Sequence, residues 1–546
     1  MKIKPIILSA LILLTTFSAS CKKNENKGSG SNYMFNSCLL NNPQSLDPQY
    51  SSDASSATVI SNLYSGLLKM DETGAVVCDG AESYTVSSDG LVYTFKLRQD
   101  IYWFFDKNDD DKTDEDEYFN VTAKDYVFAF NRLLSPVTQS PHSEKFLCIK
   151  GAEKHLNGTT TQLEGVTSTD DYTLIITLEY ANADFINLLT TNAAKPCNEE
   201  FFLSTKGRYG LDDKSVMSNG SFFIRQWFYD PYGKNNILYM KRNSINSENN
   251  TVHPSYLSFS IEKSENDIIS SFKKGNTDCF SSMNFDSSYN KNKYYYTAEK
   301  TITLGLIFNP SNKIYSNKNL QRALACSIDK KAVEKEINSD ISIAYGIIPS
   351  GIKLMGKSYR EQASDNSFDC YNSDEAIKLF NSAKKELGVE SLSSEKILVS
   401  TSSLNSKYLH ILSQQWQELF GYYIGIEEVS DNEFYSRLEE GDYSIALYPA
   451  TADYNSGVAF LKKLDECPYV PMTAQCSQAI NQLDRIDNSS EYVERFSSIE
   501  KQILDENCFI PIFYKNTYLV IKKENEDVVY DAFSGAVNYQ NAKHYN

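Results

Sequence analysis

Between residues 106 and 117 the chain spaces oxygen-bearing side chains as a calcium loop does. Asp106, Asn108, Asp110, Asp114 and Glu117 fall at loop positions one, three, five, nine and twelve, and Lys112 is placed to offer its carbonyl at position seven. Hard oxygen donors at these intervals are what an EF-hand loop presents to Ca2+. Position six is Asp111 where the turn calls for Gly, and position eight is Thr113 where an apolar residue is usual. The competing reading is a solvated acidic loop. A calcium ion held here would be structural, and no other cofactor is expected.

Cys21 is the second residue with chemistry of its own. Lys2 and Lys4 precede an apolar run over residues 6–14, broken only by Ser9, and residues 15–20 are small or apolar. The stretch is too short to span a bilayer and has the layout of a secretory signal peptide. It ends in Ser18-Ala19-Ser20-Cys21, which looks like a lipobox with Ser18 where Leu is usual. The reading is therefore a signal peptide at 1–20 and, at 21–32, a lipidated Cys on a polar, Gly/Ser/Asn-rich flexible tether. No other run is apolar and long enough for a spanning helix. The expected location is extracytoplasmic, lipid-anchored to the cell membrane.

Catalytic patterns are missing. His142, His155, His253, His410 and His544 stand outside any metal or triad motif, and neither G-x-S-x-G nor a phosphate-binding glycine loop occurs. Nothing orders the many carboxylates into a glycosidase pair. The cysteines beyond Cys21 are scattered without a C-x-x-C spacing, which leaves zinc no ligand pattern. Cys467 and Cys476, bracketing a Pro-containing loop, are the one pair considered for a disulfide. The chain is expected not to be an enzyme.

These residues need a scaffold, and 546 residues with 41% hydrophobic content are enough for two or three domains. Net charge is −18. Loss of Lys2 and Lys4 with the leader takes the 53 basic residues to 51 against 71 acidic ones, a net of −20. So acidic a chain is unsuited to nucleic acid or an anionic bilayer and suits ligands that carry an amine. Leu91-Val92-Tyr93-Thr94-Phe95-Lys96-Leu97 alternates and reads as a strand. Residues 122–134 read as a helix with Thr122 as cap and Asp125 at the capping-box position. Further helices are predicted around Leu320, Ala323, Leu324 and Ile328, after Asp329, over 373–387 before Gly388, over 407–420 before Gly421, and from an Asp431 cap to about Gly441. Strands are predicted over 422–429 and 443–448 and again after Ile510. Alternating elements without repeats make a mixed α/β protein of several lobes.

The ordered pieces resemble a known family. They are Ser45-Leu46-Asp47-Pro48, Leu63-Tyr64-Ser65-Gly66-Leu67-Leu68, Ser88-Asp89-Gly90, Val121-Thr122-Ala123-Lys124-Asp125-Tyr126-Val127, Asn219-Gly220-Ser221-Phe222 with Trp227, Arg322-Ala323-Leu324, Ile328-Asp329-Lys330 and Ala452-Asp453-Tyr454-Asn455. Over nearly the whole mature chain this set resembles the extracytoplasmic solute-binding proteins of peptide ABC transporters, the oligopeptide- and dipeptide-binding group of solute-binding protein family 5. The resemblance implies an α/β fold of the periplasmic-binding-protein-like type II (Venus-flytrap) kind, two lobes around a hinge with an extra domain. It implies domain I at 33–66, 196–296 and 512–546, domain II at 67–195 and domain III at 297–511. It also implies an extended peptide bound by strand edges, as in β-augmentation, with Asp453 gripping the α-amino group and Tyr454 as a supporting wall. Close oligopeptide-binding relatives carry Trp where this chain has Ala450 and Arg where it has Leu447. The implied partners are a peptide ligand, ABC permease subunits and, through lipid, the membrane; the implied state is a monomer. A peptide-sensing receptor without transport, or a same-fold binder of nickel chelate, haem, glutathione or sugar, stays open, because a fold alone does not choose among ligands.

Overall fold

Two long strands carry the chain between the halves of the molecule. The computed structural model describes residues 33–545 except 109, 111–113, 234, 247–251, 284–293, 338–340, 364–368, 391–394, 405 and 484–488, with no side-chain description at 489–490. Tyr294–Phe308 and Ile510–Lys522 pair antiparallel, from Tyr294 opposite Lys522 to Leu306 opposite Ile510. One end of the ribbon is flanked by Cys279–Ser282, against residues 518–521. The other is flanked by Ile341–Ile343, against 513–515, and by Ile445–Ala450, against 303–308. The register slips between Lys300 and Ile302 and between Leu304 and Gly305. Such bulges bend and twist a ribbon locally. A Cβ on Gly305 would meet the Phe509 ring at 2.3 Å, so glycine is required there. The boundaries implied at 296/297 and 511/512 fall inside these two strands.

The first lobe holds two four-stranded sheets. In one, Met34–Leu40 is the end strand, parallel to Tyr256–Glu262, followed by Ile237–Arg242 and Phe222–Phe228. The other runs Ala81–Val86, Val92–Leu97, Thr173–Thr177, Val166–Asp170 and is antiparallel. One apolar core, including Phe35, Leu63, Phe95, Trp103, Phe130 and Phe259, runs through both. Several family-like motifs prove to be its internal braces. Asn219 Oδ1 accepts from Ser65 N and its amide donates to Ser65 O, while Gly220 passes so close to Leu63 that a Cβ would sit 2.7 Å from that backbone. Asp47 accepts a bidentate pair of bonds from Arg132, both groups nearly buried, and the guanidinium lies 4.0 Å above the Phe202 ring.

The second lobe is built on the far half of the hinge ribbon. Lys396–Ser400 lies parallel between Gly425–Val429 and Ile445–Ala450. Alternate residues face opposite sides, as the two-residue period of a strand requires. Leu304, Leu306, Ile397 and Leu447 join one core, and Ile307, Leu398 and Ala446 the other. The helices Lys318–Cys326, Ser373–Leu387 and Lys407–Phe420 cover the first face; Asp431–Glu440, Gly457–Asp465 and Ser489–Asp505 cover the second.

Two local expectations shift. The helix after residue 430 is capped by Ser430, whose Oγ accepts from Glu433 N, because the Asp431 carboxylate is engaged by the hydroxyls of Ser400 and Ser402. The strand expected over 443–448 is Ile445–Ala450, because Asn309 Nδ2 donates to the carbonyls of Gly441 and Tyr443 and holds that stretch in the loop. Cys467 and Cys476 are buried free thiols and no disulfide joins them.

Candidate functional site

Two of the cavities in the cleft between the lobes share lining residues. One, of about 410 Å3, is walled by Ser37 to Leu40 of the first lobe and by Thr451 and Ala452 of the second, with Thr301, Ile302 and Thr517 of the hinge ribbon also lining it. Met34–Leu40 is the end strand of its sheet, so its outer edge has no ladder partner among the described residues. Ile445–Ala450 is matched along 445–450 by the hinge ribbon, but on its other side Lys396–Ser400 matches only Ile445 and Ala446. Pro449 stands in that open half, where a missing N–H does no harm. The edge of Met34–Leu40, where the N–H and carbonyl of Asn36 are already bonded to Asp278, and Thr451 and Ala452, which follow Ile445–Ala450, therefore face one cavity from opposite lobes, a geometry in which an extended chain can lie between them.

The second cavity, of about 550 Å3, shares Phe533 and Ser534 with the first and is lined by Asp453, Tyr454, Lys145, Lys463 and His142 among others. Asp453 lies between the end of Ile445–Ala450 and the helix Gly457–Asp465. Its Oδ1 lies 2.5 Å from Lys463 Nζ and its Oδ2 lies 2.7 Å from Lys145 Nζ. Burial pushes its carboxyl up, but the two ammonium groups outweigh burial and bring it down to about 2. Asp453 is thus ionised throughout the neutral range, with its side chain 37% exposed. Tyr454 reaches across and packs on the apolar core of the first lobe. His142 Nε2 donates to Ser51 O, 2.7 Å away, and burial and then the Lys145 charge hold its imidazole below the usual range. Deeper in the cavity Lys195 is buried and depressed by burial, with Asp79 opposing. Asp531 is half-buried, and desolvation pushes its carboxyl up.

The lobes also touch beside Asp453. The Asp184 carboxylate, from the first lobe, accepts from Ser456 Oγ and from Tyr492 OH at 3.2 Å. Lys353 Nζ donates to Gly74 O at 2.7 Å and its N–H to Asn455 Oδ1 at 2.8 Å. Asp184, Lys353, Lys145 and Lys463 were not singled out from the sequence. They sit in separate segments that only tertiary packing brings together, and no local pattern marks them.

The other sequence-derived sites lie elsewhere. Leu447, where relatives carry a cation, is fully buried in the core beside Leu306. Ala450 is buried on the other face. The 106–117 loop joins the hairpin Tyr102–Phe104 and Tyr118–Asn120 on the first lobe. Glu117 is buried and accepts from Lys107 N at 2.7 Å and Asp114 N at 3.2 Å. Asn108 Nδ2 donates to Asp114 at 3.0 Å, and Asp106 lies 3.8 Å from an Arg225 nitrogen. Asp110 belongs to the same loop, and Lys112 lies outside the described residues. Among the described residues no group of three or more His, Cys, Asp or Glu is arranged to hold a metal ion. The calcium reading therefore rests on spacing. The leader, Cys21 and the tether lie outside the described residues, and no described helix is long and apolar enough to cross a membrane.

Two lobes on a shared ribbon, with cavities and an ionised carboxylate in the cleft between them, define a ligand-binding protein of the hinge-closing kind. The chain belongs to a bacterial family of such proteins: residues 75–469 match the family described as Bacterial extracellular solute-binding proteins, family 5 Middle. Among curated relatives, the oligopeptide-binding protein AmiA of Streptococcus pneumoniae serotype 4 is 25% identical over 435 residues, covering 70% of this chain and 63% of that protein. The oligopeptide-binding protein SarA of Streptococcus gordonii is 26% identical over 447 residues, or 71% and 65%. The chain thus spans under two thirds of the length of these two. The dipeptide-binding protein DppE of Bacillus subtilis is 22% identical over 89% of this chain and 87% of its own. In fold, the substrate-binding domain of an oligopeptide ABC transporter from Bacillus anthracis str. Ames matches with a TM-score of 0.71 at 24% identity, covering 95% of this chain and 100% of that one. The pheromone receptor PrgZ matches with 0.70 at 23% identity, over 94% and 100%.

Proposed function

We propose that this protein is an extracytoplasmic receptor that captures an extended peptide between its lobes and delivers it to the permease subunits of an ABC transporter. In this reading it acts as a monomer, is not an enzyme, and is held to the cell membrane by lipid on Cys21. Membrane partition of the native protein against Cys21→Ala tests the anchor: the variant is released and the parent is not.

One observation carries the ligand assignment. An ionised carboxylate lines one cavity of the cleft, and the edge of Met34–Leu40 faces Thr451 and Ala452 of the other lobe across the cavity that shares Phe533 and Ser534 with it. Strand edges bind any peptide backbone, and Asp453 supplies the counter-charge that an enclosed α-ammonium needs. The relatives named for oligopeptide and dipeptide binding support the same ligand class.

The test is a calorimetric cycle. Asp453→Asn keeps the side-chain shape and removes its charge. It weakens a free-amine peptide by roughly 2–5 kcal/mol, the range for truncating a hydrogen-bonded charge pair, nearer the low end for a part-exposed group. The N-acetylated peptide binds the parent poorly and loses little more in the variant. Equal losses for both peptides would mean that Asp453 shapes the cleft without reading the amine.

A further inference from the structure

The carboxylate that the proposed function assigns to the ligand's amine already holds two amines, and their origins differ. Lys463 belongs to the helix Gly457–Asp465, in the same lobe as Asp453. It moves with Asp453 whatever the lobes do. Lys145 belongs to the short turn Ser143–Phe146, whose Phe146 is anchored in the core of the first lobe. Asp453 follows Ala452, which is anchored in the core of the second. The 2.7 Å contact from Lys145 Nζ to Asp453 Oδ2 therefore bridges the cleft and exists only while the lobes are together.

Lys145 is thus a primary ammonium, directed into the cleft from the facing lobe and bound to the acceptor that a peptide's α-ammonium requires. A third cation beside one carboxylate would meet two like charges within a few ångströms, which is unfavourable in a partly enclosed site. One ammonium has to leave when another arrives, and Lys463 is tied to the same lobe. Glu144 adjoins Lys145, and Glu466 is close enough to sense both Lys145 and Asp453. A displaced Lys145 side chain has acceptors waiting nearby.

We propose that Lys145 is a selectivity residue, a built-in occupant of the amine subsite that a ligand's ammonium exchanges with on binding. The inference rests on the reading of Asp453 as the amine's partner. Its consequence is a threshold: a ligand without a free amine leaves Lys145 in place, and a ligand with one gains only the difference between two ammonium–carboxylate pairs. The occupied subsite lowers apparent affinity by the fraction of time it is closed to the ligand. The same contact holds the ligand-free lobes together.

The experiment compares the parent, Lys145→Met and Lys145→Arg, using one free-amine tripeptide, its N-acetylated form and small-angle scattering without ligand. Lys145→Met binds the free-amine tripeptide about tenfold more tightly, as expected when a competing state is removed. It binds the acetylated form no more tightly than the parent does, because that ligand gains no vacated subsite and the variant has lost a contact between the lobes, and its ligand-free form is more open. Lys145→Arg restores parental behaviour in all three. Equal or weaker binding of the free-amine tripeptide by Lys145→Met overturns the proposal. If no protein binds either tripeptide, the peptide reading itself has failed. The scattering then decides for Lys145: an opened Met variant sustains its internal occupancy, and unchanged scattering overturns it.

Discussion

The residues that make this chain look like its family mostly do structural work, and Asp47 is the clearest case. In the sequence Ser45-Leu46-Asp47-Pro48 is only a marker. In the structure Asp47 is the counter-ion of a nearly buried Arg132, which is further held by Gln49 Oε1 at 2.8 Å and Cys197 Sγ at 3.4 Å. Asp47→Asn keeps the volume and strands the guanidinium. It destabilises the protein by about 3–5 kcal/mol in urea melts, the range for breaking a buried pair from one side. Arg132→Met with Asp47→Leu should cost far less, since no unpaired charge remains. If single and double variants were equally destabilised, packing and not charge would be the issue. Asp453 contrasts with it. Its motif was legible, but the groups that set its charge were not, because Lys145 and Lys463 carry no pattern that relates them to it. Sequence names the residue with a partner to come; packing names the partners.

Elements divide along the same line. Helices with local stop and start chemistry were readable: Thr122 and Asp125 form the capping box of Ala123–Leu133, and Gly388, Gly421 and Gly441 end their helices with positive φ. Readings failed where a distant side chain intervened, as when Ser400 and Ser402 draw Asp431 away from capping. Strand pairing was not legible, since Met34–Leu40 meets Tyr256–Glu262 and the hinge ribbon joins a strand from the middle of the sequence to one close to its C-terminal end. The 106–117 loop shows how spacing alone can mislead or inform. Its Glu117, the twelfth position of the calcium pattern, grips two backbone N–H groups within the loop. Glu117→Gln leaves one of those donors without an acceptor and lowers stability by about 1–3 kcal/mol in calcium-free buffer. A structural calcium ion adds a separate requirement: millimolar calcium raises the parental melting temperature by mass action, and the variant loses that gain. Thermal melts of both proteins with calcium and with chelator separate the two effects. A parental melt indifferent to calcium removes the metal and leaves the hydrogen bonds.

At the scale of the whole molecule, binding and closing are one equilibrium, because a ligand that touches both lobes shifts the population toward the state in which they meet. Asp184 reports on that equilibrium without touching the amine subsite. Its carboxylate belongs to the first lobe and accepts from Ser456 Oγ and Tyr492 OH of the second. Ser456 in turn caps the helix that carries Lys463, its Oγ accepting from Ala459 N at 3.1 Å. When the lobes part, water can replace these bonds; when they close, Asp184 is 3% exposed and has to be satisfied by protein. Asp184→Ala therefore destabilises the closed form alone, leaving two buried hydroxyls without their acceptor, at about 1–3 kcal/mol. Affinity should fall by roughly ten- to a hundredfold for every ligand, free-amine or acetylated alike, and through faster dissociation. The melting temperature of the ligand-free protein should change little, because each lobe keeps its own core. This pattern differs from that of Lys145→Met, which tightens the free-amine class alone. Stopped-flow dissociation and thermal melts on Asp184→Ala settle the matter. A lowered melting temperature with unchanged dissociation would place Asp184 in the fold of a lobe instead of in the contact between lobes.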